Sequence, residues 1–287
     1  MKKILIIGAT GFIGKNIYEY LQRKYIVHTP SRKELDALIE NDVYNYLSKE
    51  FYDVVINAID IREANCNYFE DRLRIFMNLE RCNHLYGKMI YFGSGAEYAR
   101  ELPIIDITEE EFDRTIPEDT YGFCLHQMSK YTIKSSNIYN FRLFGIYGKY
   151  EIWQKRFISN AICKALYDYP ITIRQNVIFD YLYIDDLCKI VDWAICNTPK
   201  YHDYNAVSGK KYELKELANI VNKVTKKNVP IYIAKEGMGK EYSASNKRLC
   251  SELNLFEPEN IEISIEKLSF WYKKNLNNID RYSLLYQ

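Results

Sequence analysis

Ile4-Leu5-Ile6-Ile7-Gly8-Ala9-Thr10-Gly11-Phe12-Ile13-Gly14 decides the fold. Four consecutive apolar residues predict a parallel strand buried on both faces, since a half-buried strand would alternate. Phe12, Ile13, Ile17 and Leu21 then recur at helical spacing. Between strand and helix lies a turn with glycines at positions 8, 11 and 14. Gly8 permits the tight turn, Gly11 lets backbone approach a pyrophosphate, and Gly14 lets the helix pack close to the strand. The helix start offers unpaired N–H groups and the positive end of its dipole to phosphates.

The spacing is G-x-x-G-x-x-G rather than G-x-G-x-x-G. In this context it resembles the short-chain dehydrogenase/reductase superfamily, in its extended, sugar-nucleotide-modifying branch. The resemblance implies an α/β fold: a Rossmann-type doubly wound parallel sheet with a smaller C-terminal α/β substrate domain. The expected division is 1–150 for the dinucleotide-binding domain, with 176–200 returning to it, and 151–287 for the domain that binds a sugar nucleotide. The first turn, Gly8, Thr10, Gly11, Phe12, Ile13 and Gly14, is the expected cofactor cradle.

At 287 residues the chain exceeds one typical domain. Its net charge of +1, from 39 basic and 38 acidic residues, supplies no footprint for nucleic acid or an anionic membrane. The seven cysteines, Cys66, Cys82, Cys124, Cys163, Cys188, Cys196 and Cys250, are scattered and form no C-x-x-C. Reduced thiols in a cytoplasm fit them better than disulfides or a metal site. The apolar run before Gly8 is too short for a signal peptide, and no stretch is long enough for a membrane span.

Tyr25–His28 reads as a second strand. No acid stands at its end to accept from ribose hydroxyls. Ser31, Arg32 and Lys33 follow instead and suit a 2′-phosphate, which favours NADP(H) over NAD(H), with Asp36 as an adenine contact. Asp53–Ala58 is a third buried strand, and Asn57 and Ala58 at its end match the resembling family's cofactor contacts. A helix is expected over 65–85, with Asn78 matching a family asparagine near the cofactor. Met89–Phe92 is the fourth strand. It leads into Ser94, four residues before Tyr98, as in the resembling family; Ser94 is the candidate hydroxyl for a substrate carbonyl, with Glu97 beside it at the substrate. Residues 102–119 read as an acidic loop.

Pro117 to Gly122 matches the family's P-x-x-x-Y-G, which makes Tyr121 the candidate proton donor. The family continues Y-x-x-x-K, but the lysine position here is Leu125. That ammonium favours the phenolate of a group whose ordinary pKa is about 10 and holds the nicotinamide ribose. His126 points about 100° away from Leu125 on a helix. Lys130 lies roughly 13 Å from Tyr121 along the axis. Neither is an easy replacement.

Further on, Ile138–Gly148 resembles the family's L-R-x-x-N-V-Y-G strand, expected to close the sheet. A helix is expected over 152–168. Phe179–Leu187 resembles R-D-F-x-Y-V-D-D-x with its arginine replaced by Phe179. Arg156 and Arg174 are then the cations for a substrate diphosphate.

Dehydratases of the resembling family carry an Asp-Glu pair where this chain has Gly95 and Ala96. GDP-fucose synthase-like members carry a Cys and a His where it has Ala96 and, approximately, Arg156. Hydride transfer remains: NADPH-dependent reduction of a 4-keto sugar on a nucleoside diphosphate, as in the making of bacterial surface-polysaccharide sugars. The alternatives are an NAD-dependent 4-epimerase and a cofactor-binding protein with an impaired site. A homodimer is expected from the resemblance alone.

Overall fold

The computed structural model describes residues 1–61, 67–254 and 256–285. Asn65 and Cys66 fall outside them. The N-terminal run forms β1 (Lys3–Ile7) and α1 (Phe12–Leu21), joined by the glycine turn. There follow β2 (Ile26–His28), α2 (Glu40–Leu47), β3 (Tyr52–Asn57), α3 (Tyr68–Arg81) and β4 (Tyr86–Ser94). Next come β5 (Ile104–Ile107), α4 (Thr120–Thr132), β6 (Ile138–Leu143), β7 (Gly145–Tyr147) and α5 (Phe157–Leu166). The chain continues through β8 (Ile171–Asn176), β9 (Ile178–Tyr183), α6 (Ile184–Cys196), β10 (Asp203–Ala206), β11 (Lys211–Glu213) and α7 (Leu214–Thr225). It ends with β12 (Ile231–Met238), β13 (Tyr242–Ala244), α8 (Lys247–Glu252) and α9 (Ile261–Lys274).

Six strands make one parallel sheet in the order β10-β6-β4-β3-β1-β2. The unbroken apolar run of β1 is explained by its two buried faces. Ile4 and Ile6 point into one core cluster with Ile17 and Leu21 of α1, and Leu5 and Ile7 into another with Ile75 of α3 and Leu125 of α4. Helix α1 packs beside α6 on one face, and α3 beside α4 on the other. From β1 the chain goes to β2 on one side and then to β3 on the other. That reversal opens a crevice at the carboxyl ends of β1 and β3, where ligands of open α/β sheets bind.

A second sheet has the order β11-β9-β13-β5, with β7 also on β9, and β8 pairs β12. Four differences from the sequence reading stand out. The helix expected over 65–85 is described from Tyr68 to Arg81, followed by a 3-10 turn at Asn83–Leu85. The segment 102–119 is not simply a loop: β5 pairs β13 through Ile104↔Tyr242 and Ile107↔Ala244. Its acids hid it, and they are matched at a distance, as Asp106 is by Lys211 at 2.8 Å. The helix expected over 152–168 starts at Phe157. Finally, β6 does not close the sheet. Beyond it lies β10, drawn from within 151–287, with Tyr204 stacked 5.5 Å from Phe141 and edge-on 5.9 Å from Trp193.

The described cysteines are all free thiols. Among the described residues no helix is long and apolar enough to cross a membrane.

Candidate active site

The glycine turn has the geometry that its spacing predicts. Gly8 is in the left-handed region at φ 88°, and a Cβ there would stand 2.7 Å from the Ala58 backbone. Ala58 in turn donates its N–H to the Ile7 carbonyl at 2.9 Å, so the ends of β1 and β3 are knitted together. A Cβ on Gly14 would collide with the Gly8 carbonyl, which is how α1 comes so close to the strand. The first turn of α1 holds no acid and its N-terminus has no side-chain cap, so its N–H groups are left for an anion. Gly11 and Thr10 are exposed over that end. Phe12 and Ile13 contribute backbone only, their side chains packing on the core beneath. The residues present therefore fit a dinucleotide's pyrophosphate.

The loop after β2 is more occupied than its sequence suggests. Ser31 gives both its N–H and its hydroxyl to Glu34, at 2.7 and 2.8 Å, which holds that carboxyl below its usual pKa. Asp36, expected at adenine, instead takes Arg32 Nε at 3.0 Å and the Leu38 N–H at 3.1 Å. Arg32 remains 74% exposed, and Lys33 is exposed beside it. Asn57 accepts from the Ile59 N–H at 3.3 Å at the end of β3. Asn78 is corrected from cofactor contact to anchor. It is buried on α3, and its amide donates to the Ala37 carbonyl at 3.0 Å, pinning the loop that carries Arg32 and Lys33. Asn78→Ala leaves that carbonyl buried and unpaired, so it should cost about 1–3 kcal/mol in chemical denaturation and weaken NADPH binding.

The opposite wall is built by β4 and α4. Ser94 ends β4 and caps a 3-10 turn over Gly95–Tyr98, accepting from the Ala96 N–H at 3.2 Å. Asp119 caps α4 by accepting from the Gly122 N–H at 2.9 Å. Gly122 lets α4 sit against that turn, since a Cβ would lie 2.6 Å from the Ala96 carbonyl. Tyr121 is thereby carried to Ser94, which acts on its phenol as a hydrogen-bonding neighbour. A second phenol, Tyr242 of β13, meets the same serine. Tyr242 packs 4.7 Å from Phe144 and 5.6 Å from Phe179, forming an aromatic wall over Ser94.

Burial raises the Tyr121 phenol above its ordinary pKa. The Arg72 cation and Ser94 oppose that rise, while Asp60 and Glu97 add to it. Leu125 is fully buried between α3 and α4. His126 and Lys130 turn to Asp113, each at 3.0 Å, and burial lowers the His126 pKa. Two arginines flank the Tyr121 ring instead, Arg72 at 5.4 Å and Arg100 at 5.7 Å from its centre. Sequence reading missed Arg72, Arg100 and Tyr242 because no local motif marks them.

Glu97 is a correction. It does not face a substrate. Its carboxylate is fully buried, taking Arg142 Nε at 2.6 Å, the Ser129 hydroxyl at 2.5 Å and the Asn140 amide at 3.2 Å. It also accepts from the Ser94 N–H at 3.1 Å and so fixes the serine from behind. Arg142 is completed by Asp203 at 2.5 Å. Arg156 and Arg174 are both exposed, Arg156 preceding α5 and Arg174 on β8. Arg156 acts electrostatically on Glu151 and Tyr181.

The model of the NAD dependent epimerase/dehydratase family matches residues 4–206. The chain belongs to that family. Among curated members, a GDP-L-colitose synthase from Yersinia pseudotuberculosis is 23% identical over 308 residues, covering 96% of this chain and 99% of the relative. A GDP-mannoheptose C4 reductase from Campylobacter jejuni, solved with NADP bound, superposes with a TM-score of 0.80 at 20% identity, covering 95% and 98% of the two chains. A UDP-glucose 4-epimerase from Thermotoga maritima, solved with UDP-glucose, superposes with a TM-score of 0.81 at 17% identity, covering 96% and 99%. The family model thus covers residues 4–206, the likeness of fold extends over about 95% of the chain, and the fold by itself does not choose among the reactions.

Proposed function

We propose that the protein is an NADPH-dependent reductase of a 4-keto sugar carried on a nucleoside diphosphate. The observation that carries this reading is the meeting of Tyr121 and Ser94 at the crevice, with no Asp-Glu or Cys-His pair beside them among the described residues. The positions where dehydratases of the family carry acids are Gly95 and Ala96, both buried against the turn. Gly95 and Ala96 offer no acid or base for proton exchange at the carbons flanking the ketone. GDP-sugar names among the similar proteins favour guanosine as the nucleoside.

The nicotinamide, when bound, supplies hydride. Everything else falls to the chain. Ser94 donates its hydroxyl proton as a hydrogen bond to the sugar's carbonyl oxygen, where negative charge grows. Tyr121 holds a proton at Oη and delivers it to that oxygen. Tyr242, Phe144 and Phe179 cover the reacting carbon with apolar surface, and Arg100, Arg156 and Arg174 are the cations offered to the diphosphate. Gly8, Gly11, Gly14, Asn57 and Ala58 hold the cofactor, with Arg32 and Lys33 at its 2′-phosphate. A cytoplasmic homodimer is part of the same reading.

Arg32→Ala combined with Lys33→Ala should weaken NADPH binding about tenfold and leave NADH binding unchanged, read by fluorescence titration at fixed salt. Equal loss for both cofactors would remove the 2′-phosphate assignment. The second reading, a protein that binds cofactor without turnover, is favoured by Leu125 alone. It predicts no NADPH consumption with any 4-keto sugar nucleotide.

A further inference from the structure

Leu125 stands where the family's lysine would be, and its side chain is fully buried in the core cluster that also holds Ile75, Phe76, Tyr91 and Met128. A cation nevertheless faces Tyr121. Arg72 enters from α3, the neighbouring helix, and its guanidinium carbon lies 5.4 Å from the centre of the Tyr121 ring. The residue is only 8% exposed. Asp60 at 2.7 Å and the Ile61 carbonyl at 3.1 Å hold one terminal nitrogen. The Nε is different: it is buried with no hydrogen-bond partner among the described residues. Arg72 lines a small cavity with Asn57 and Ile59 from the end of β3 and Phe92 from β4. Ile61, Ile75, Tyr91 and Met128 complete its lining. The Asp60 side chain is 78% exposed, so its charge is screened by solvent while that of Arg72 is not.

We propose that Arg72 is the positioning residue that replaces the missing lysine, delivering from α3 the cation that α4 lacks at Leu125. It stabilises the Tyr121 phenolate left when the proton has moved to the substrate oxygen. Its unpaired Nε is the donor left for the bound cofactor's ribose. An arginine suits this place because its planar fork can hold Asp60 with one nitrogen and keep another free. The catalytic meaning of Arg72 rests on the proposed reduction; its effect on the phenol does not.

Among the described residues, the charged and titratable groups facing Tyr121 are Arg72 from α3, Asp60 after β3, Glu97 and Arg100 after β4, and Tyr242 from β13, with Arg100 itself paired to Asp119 at 2.9 Å. The test installs 3,5-difluorotyrosine at position 121 in the full chain. The fluorines bring the phenol's ionisation into the range where the protein is handled, and fluorine NMR follows it without cofactor or substrate. Arg72→Gln should raise the titration midpoint by about one pH unit or more, and Arg72→Lys should return most of it. Asp60→Asn, at an exposed site that keeps the fold safe, should lower it. Leu125→Lys added to Arg72→Gln should bring it back. The same midpoint in the parent, Arg72→Gln and Asp60→Asn would overturn the proposal and leave Arg72 as a structural partner of Asp60. Since the titration needs no sugar nucleotide, failure to find a substrate would count against the proposed reaction and not against Arg72.

Discussion

Tyr121→Phe should lower kcat for ketone reduction by roughly 100- to 10,000-fold while NADPH still binds. The phenol's ring packs between Arg72 and Arg100, and Phe keeps that packing. What disappears is the proton at Oη. Ser94 remains as a donor to the carbonyl oxygen, which is why a residual rate should survive. Burial keeps the phenol above its ordinary value, so the group stays protonated through neutral pH. The sign follows: the parent's rate should be flat across neutral pH and fall only as alkali removes the proton. Steady-state kinetics of both proteins across that range is the check, and an unaltered rate in Tyr121→Phe would remove the residue from the mechanism.

Glu97→Gln should destabilise the protein by about 3–5 kcal/mol in chemical denaturation. The carboxylate is fully buried and faces an equally buried Arg142 at 2.6 Å. Removing its charge leaves that guanidinium with Asp203, and the Ser129 and Asn140 donors lose their strongest acceptor. An exposed pair offers the contrast. Glu262→Gln, opposite Lys223 at 2.7 Å on the surface, should cost well under 1 kcal/mol. Equal effects from the two substitutions would mean that the buried network contributes no more than a surface pair. Because Glu97 also holds the Ser94 N–H, the folded variant should lose activity beyond its loss of stability.

What the sequence disclosed is what local geometry dictates. The turn from β1 to α1 could be read because Gly14 answers to Gly8 and Ala9 beside it and Gly8 to its own φ of 88°, although the Ala58 and Ile59 backbone that also excludes a Cβ at Gly8 lies far along the chain. Tyr121 and Ser94 could be placed because each sits in a short motif at an element's end. Contacts made across the chain were hidden. Arg72 on α3 and Tyr242 on β13 reach the site only after the sheets have assembled, and neither carries a pattern of its own. Glu97 misled for a related reason. An acid three residues after the candidate serine reads as a site residue, but its partner Arg142 lies on β6, and that pairing draws it inward. Asn78 reads as a surface amide or a cofactor contact until the loop after β2 folds back and presents the Ala37 carbonyl. The strand β5 escaped because its acids are offset by cations far along the sequence, such as Lys211.

Net hydride transfer to a ketone can be followed by incubating the protein with a GDP-linked 4-keto sugar and NADPH deuterated at the transferable position, then analysing the product by mass spectrometry and NMR. A reductase should place one deuterium at the sugar's C4, with one equivalent of cofactor oxidised per product. Interconversion of C4 epimers without cofactor consumption, or cofactor binding with no product, would contradict net hydride transfer.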